Sequence, residues 1–104
     1  MLNINIFNPS LFKKYSFIKG VGLYGSCVKG TNREDSDIDL WIKVEKVKEE
    51  ELSKLTNELK RKNERIKPLF LTKEKIEFLK KEDTVFYYSL VFGSIILYGE
   101  EIEV

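Results

Sequence analysis

The sequence contains no histidine and a single cysteine, Cys27. The absence of histidine excludes His-based general acid–base catalysis, Ser-His-Asp triads and every metal site with imidazole ligands. One cysteine excludes an internal disulfide and a cysteine-cluster metal site, so a reducing compartment, the cytoplasm, is the expected location. The side chains left for chemistry are carboxylates, lysines and hydroxyls, together with the backbone.

The chain also lacks a strong net charge and a long hydrophobic run. Its 18 basic and 17 acidic residues give a formal net charge of +1, which offers no general reason to bind nucleic acid or an anionic membrane. The longest apolar stretch, about 89–99, is shorter than the ~20 residues of a membrane crossing, and the amino terminus does not resemble a signal peptide. With 104 residues, 42% of them hydrophobic, we expect one folded domain spanning 1–104.

Segments with the periodicity of strands alternate with segments typical of helices. This alternation predicts an α/β or α+β fold, in which helices pack on a sheet. The last helical segment, Asp83 to Val91, could also be irregular. The predicted strands are Gly20 to Tyr24, Asp37 to Val44, Ile66 to Leu71 and Ser94 to Tyr98, and the predicted helices are Pro9 to Phe17, Lys48 to Arg65 and one capped by Thr72 that ends near Lys81.

Two aspartates at the start of a predicted strand indicate a cation site. Asp37 and Asp39 are two residues apart, and alternate residues of a strand point to the same face, so their carboxylates should lie side by side. Burying two unpaired carboxylates would be costly. A divalent cation such as Mg²⁺ removes that cost, because it binds oxygen ligands and often combines one or two carboxylates with substrate phosphates.

Gly25 and Ser26 end the preceding predicted strand, and ten residues lie between Ser26 and Asp37. Gly25 would allow a sharp turn there, and Ser26 with nearby backbone N–H groups could hold phosphate oxygens. Lys29 lies about one helical turn further on and could add a positive charge, although a surface lysine needs no function. The two segments together could bind the oxygens of a phosphoryl transfer around one or two metal ions.

Gly25-Ser26, ten intervening residues and Asp37-x-Asp39 together resemble the signature of the minimal nucleotidyltransferases, the MNT-type antitoxins of the DNA polymerase β superfamily. The flanking segments 21–24 and 36–40 agree with that pattern, and Gly30 stands within the spacer. The similarity extends over essentially the whole chain.

The resemblance implies a palm-like mixed sheet with helices packed mainly on one face. It implies that Asp37 and Asp39 are catalytic metal ligands, that Gly25, Ser26 and Lys29 hold the triphosphate, and that the site uses two Mg²⁺ ions with ATP as substrate. The implied reaction transfers AMP to a hydroxyl acceptor. The implied partner is a HEPN-type toxin, and a homodimer is the other way in which the acceptor could be presented.

One part of the family pattern is missing. Active relatives carry a third acidic residue on the next core strand, whereas that strand here reads Ile66 to Leu71 and has Lys67 or Pro68 at the corresponding position. Glu64 and Glu74 bracket the strand and would serve only in a different register. The alternative function is therefore a weakly active or inactive antitoxin that neutralises its partner by binding.

Two aromatic features admit more than one interpretation. Trp41 should share a face with the two aspartates, where it could stack on a nucleobase or pack against a helix. The aromatic segment 86–92 is predicted to be core, and an exposed part of it could bind a protein. The basic residues near the end of the long helix lack interleaved aromatics, so we do not expect nucleic acid binding.

Overall fold

The computed structural model describes residues 9–25 and 37–102. The described elements alternate between helices and strands much as the sequence predicted. In chain order they are α1 (Pro9–Lys13), β1 (Ile18–Tyr24), β2 (Ile38–Val44), α2 (Glu49–Lys62), β3 (Ile66–Leu71), α3 (Lys73–Glu82), α4 (Thr84–Phe92) and β4 (Ile95–Gly99).

The four described strands form one sheet in the order β3-β2-β1-β4. β1 pairs antiparallel with both β2 and β4, whereas β2 and β3 run parallel and are joined through α2. A parallel pair needs such a crossover connection. The mixed sheet and the α/β class are therefore confirmed.

One face of the sheet packs against α1 and α2. Every second residue of β2, from Ile38 to Val44, is buried in this cluster, as the alternation predicted. From α2, Leu55 and Leu59 are fully buried. This face thus forms the larger of two hydrophobic clusters.

The other face is covered by α3 and α4, around the side chain of Trp41. The Trp41 ring lies against Gly22 of β1, where an added Cβ would come within 2.3 Å of Cε2. Its indole N–H donates to Ser94 Oγ at 2.9 Å, and that hydroxyl donates to the Leu90 carbonyl at 2.6 Å. The helices are therefore shared between both faces of the sheet, whereas the sequence placed most of them on one.

Local hydrogen bonds explain where the helices begin and end. Thr72 caps α3 as predicted, since its hydroxyl accepts from the Lys75 N–H. The segment after Asp83 is a helix rather than irregular, because the Asp83 carboxylate caps it. α2 ends at Lys62, earlier than predicted, because the Asn63 side chain accepts from the Arg65 N–H and turns the chain towards β3.

α1 is also shorter than predicted. It ends at Lys13, and the Tyr15 N–H donates to the Phe12 carbonyl in a turn. β1 then begins at Ile18, two residues earlier than the sequence indicated. Within residues 9–25 and 37–102, no helix combines the length and apolarity that a membrane crossing needs.

Candidate active site

Asp37 and Asp39 lie at the start of β2, in the middle of the sheet. The Asp37 side chain is 55% exposed, whereas Asp39 is half-buried. Burial raises the pKa of the Asp39 carboxyl, the negative charge of Asp37 raises it further, and the Lys67 ammonium lowers it. The two carboxylates thus lie close enough to repel each other, as expected for side chains on one face of a strand.

Gly25 directly follows β1 and lies beside Asp39. Its φ of +80° lies in the left-handed region, which favours glycine, and the turn predicted after it runs into residues outside the described ranges. A Cβ on Gly25 would come within 2.7 Å of Asp39 Oδ2. Glycine is therefore needed both for the backbone conformation and for the close approach of the carboxylate. Ser26 and Lys29, the other predicted phosphate ligands, lie outside the described residues.

Lys67 stands where active relatives are expected to carry their third acid. The parallel register pairs Asp39 with Lys67, and Lys67 Nζ lies 3.1 Å from Asp37 Oδ2. Pro68 pairs with the buried Leu40 instead. The register thus decides between the two residues that the sequence left open, in favour of Lys67.

Neither bracketing glutamate takes that position. Glu64 lies in the turn before β3, and Glu74 lies in the first turn of α3. Among the described residues, no group of three or more acidic or sulfur ligands could hold a metal ion. Asp37 and Asp39 supply carboxylate oxygens, which are the ligand type that a divalent cation such as Mg²⁺ combines with phosphate or water oxygens.

A tyrosine that sequence reasoning missed borders the carboxylates. Tyr24 pairs with Asp39 across β1 and β2, and its ring meets that of Phe86 edge-on at 6.1 Å between centroids. Burial and, to a lesser extent, the Asp39 charge raise the pKa of Tyr24 to about 12, so the phenol keeps its proton at neutral pH. Only the strand register could have identified it.

Trp41 takes the packing role of the two that the sequence left open. It shares a face with Asp39, but its side chain is 0% exposed beneath α3 and α4. It cannot stack on a nucleobase unless those helices move. Its role is to hold the sheet under the helices next to the acidic pair.

A cavity of about 360 Å³ lies at the opposite end of β2, on the same side of the sheet. Three lysines, Lys43, Lys73 and Lys80, contribute to its lining together with the buried Tyr87. Neither Asp37 nor Asp39 belongs to that lining. This cavity is therefore separate from the carboxylate pair.

Comparison with known families assigns the fold. The family described as "Polymerase beta, Nucleotidyltransferase" matches residues 9–103. The chain belongs to this family. The resemblance carried by Gly25, Ser26, Asp37 and Asp39 is thereby confirmed at the level of the family.

Several solved structures share the fold of this chain. A toxin–antitoxin crystal structure with AMP-PNP matches with a TM-score of 0.67 and 21% identity, covering 95% of this chain and 75% of the other. A mutant of the MntA–HpeT toxin–antitoxin complex matches with a TM-score of 0.66 and 19% identity, with the same coverage. A second mutant of that complex gives a TM-score of 0.62 at 21% identity, covering 96% and 75%. A comparison with curated proteins found no match.

Proposed function

We propose that the protein is a cytoplasmic, Mg²⁺-dependent nucleotidyltransferase that moves AMP from ATP to a hydroxyl on a HEPN-type toxin. The observation that carries this proposal is the Asp37–Asp39 pair, in which the Asp39 carboxylate lies against Gly25 directly after β1. ATP carries several negative charges and would be repelled by two carboxylates alone. A shared divalent cation makes the two compatible, which accounts for acids and a phosphate-binding turn at one place.

The chain's own residues would bind and orient the reactants. Asp37 and Asp39 would hold the cation, and Gly25, Ser26 and Lys29 would hold the triphosphate. Bound Mg²⁺ would neutralise charge on the phosphate oxygens. The acceptor oxygen would then bond to the α-phosphorus as the bond to the β-phosphate breaks, releasing pyrophosphate while the acceptor proton passes to solvent.

The test is transfer of label from ATP to the partner. With Mg²⁺ and a HEPN-type protein, label from [α-³²P]ATP should appear on the partner, and label from [γ-³²P]ATP should not. Asp39→Asn should abolish transfer. Glu64→Gln is the matched control, because it neutralises an exposed acid in the turn before β3 and should transfer normally. Label that persists in Asp39→Asn would contradict the proposal.

A second candidate function, neutralisation by binding alone, is favoured by Lys67 at the third-acid position. If binding alone neutralises the toxin, this chain would need a surface that binds the toxin. α4 contains no charged residue and exposes Val85, Tyr88 and Phe92, at 84%, 41% and 73%. These side chains follow one another at helical spacing. They form an apolar stripe that the toxin would cover.

Two variants distinguish the functions. If binding alone neutralises the toxin, Asp37→Asn with Asp39→Asn should protect cells as well as the unaltered chain and form the same complex. If transfer is required, that variant should bind and fail to protect. Phe92→Ser should weaken the complex in either case, while leaving AMP-PNP binding unchanged, because α4's stripe does not include the carboxylates. Size-exclusion chromatography separates a complex with the toxin from a homodimer.

A further inference from the structure

Lys67 places a fixed positive charge inside the carboxylate pair. Its ammonium lies 3.1 Å from Asp37 Oδ2, and the side chains are 65% and 55% exposed. It is also the register partner of Asp39 on the neighbouring strand. It therefore faces both acids from β3, the strand on the side away from Gly25.

Among the residues that the structure describes, these three contribute the charge of the site. Two carboxylates and one ammonium sum to a single negative charge, whereas three carboxylates would carry three. A cluster with one net negative charge attracts a divalent cation more weakly than a cluster of three carboxylates would, and it also repels a triphosphate less. Cation and triphosphate should therefore help each other to bind, because each supplies the charge that the other needs.

We propose, as a deepening of the proposed function on which it rests, that Lys67 is a built-in counter-cation that replaces the second metal ion of three-carboxylate relatives. The site then takes one divalent cation, and takes it together with the nucleotide. Asp37 would hold this cation in place of the Lys67 ammonium. The exposed Lys67 side chain is then free to approach the phosphate oxygens.

Manganese binding tests this proposal without requiring turnover. Free Mn²⁺ is followed by electron paramagnetic resonance, with and without AMP-PNP. A unit charge about 5 Å from a divalent cation at a solvated surface changes cation affinity roughly tenfold. Lys67→Met should therefore bind Mn²⁺ alone roughly tenfold more tightly than the unaltered chain and reduce the mutual enhancement with AMP-PNP. Lys67→Arg should keep both values.

Lys43→Met is the matched control. Lys43 lies on the same face of β2, ion-paired with Glu100 at 3.2 Å, and four residues along a strand is about 13 Å from Asp39. At that distance salt screens most of its effect, so Mn²⁺ affinity should change less than about twofold. Lys67→Asp should raise the stoichiometry from one Mn²⁺ per chain to two, because it restores a third carboxylate.

The outcomes separate this inference from the proposed function. One Mn²⁺ per unaltered chain, bound more tightly in Lys67→Met but not in Lys67→Arg or Lys43→Met, supports the inference. Mn²⁺ affinity without nucleotide that is equal in the unaltered chain and Lys67→Met overturns the inference, and AMP-PNP binding that still depends on Mn²⁺ then leaves the nucleotide site standing. Two Mn²⁺ ions in the unaltered chain overturn it likewise. Absence of Mn²⁺ binding in every variant overturns both, with circular dichroism confirming that each variant is folded.

Discussion

Replacing Gly25 with alanine should damage the carboxylate site more than it damages the fold. A non-glycine residue at φ +80° costs about 1–2 kcal/mol in backbone strain. The new methyl group would lie 2.7 Å from Asp39 Oδ2, and relief of that contact requires the carboxylate to move by roughly 0.7 Å. A side-chain end can move cheaply. The free energy of unfolding should therefore fall by about 1–2 kcal/mol, mostly from backbone strain.

Ligand binding should respond more strongly, because displacement of a binding group by about 1 Å can cost up to a hundredfold. Urea denaturation gives the unfolding free energy, and calorimetry gives AMP-PNP affinity in the presence of Mn²⁺. We expect Gly25→Ala to lose at least about tenfold in affinity while it remains folded.

The steric and backbone contributions separate in an Asp39→Ala background. There the carboxylate is absent, so Gly25→Ala should still cost about 1–2 kcal/mol through φ alone. The reasoning is refuted if Gly25→Ala leaves stability and AMP-PNP affinity unchanged. A cost of Gly25→Ala that disappears in the Asp39→Ala background would show that the carboxylate contact, and not the backbone, sets it.

Three further changes test the surrounding structure. Ser94→Ala should lower the free energy of unfolding by about 1–3 kcal/mol, because the buried Trp41 N–H loses its partner. Ser94→Thr keeps a hydroxyl and should therefore retain most of that free energy. Urea denaturation compares the two variants. Asp39→Asn should raise stability at pH 7, because burial and Asp37 raise the Asp39 pKa and ionisation therefore opposes folding; the gain should vanish as the pH falls below the ordinary carboxyl range. Burial and the Glu58 hydrogen bond raise the pKa of Tyr15 from 10.0 to about 12, so the stability difference between the unaltered chain and Tyr15→Phe should be full below pH 10 and disappear as the pH rises through 12.

The local pattern of the sequence predicted where the strands lie better than it predicted what packs against them. The alternation in β2 assigned Ile38 and Leu40 to one face and Asp39 and Trp41 to the other, and β3 has the predicted bounds. The alternation did not say what covers each face. Trp41 is enclosed by α3, α4 and Ser94, which are distant in sequence, so its burial depends on tertiary packing that no local periodicity contains.

The residues of the candidate site also fall into two groups, those that local spacing predicted and those that it did not. Spacing in the chain sufficed to bring Asp37, Asp39 and Gly25 together, because they belong to adjacent strands joined by one connection. Lys67 and Tyr24 entered the site through strand register. Register depends on how three strands align, and a shift of one residue would have exchanged Lys67 for Pro68.

The unfavourable local features of the site are themselves an argument for function. Gly25 adopts a left-handed conformation where β1 ends, and the half-buried carboxyl of Asp39 has another negative charge beside it. No polar or charged residue in the described ranges is fully buried, and outside this site a left-handed backbone is found at Lys46 and Gly99. Features of this kind are expected to occur together at a site that binds a charged ligand. Lys67 offsets part of the repulsion, and the proposed cation would neutralise the remainder.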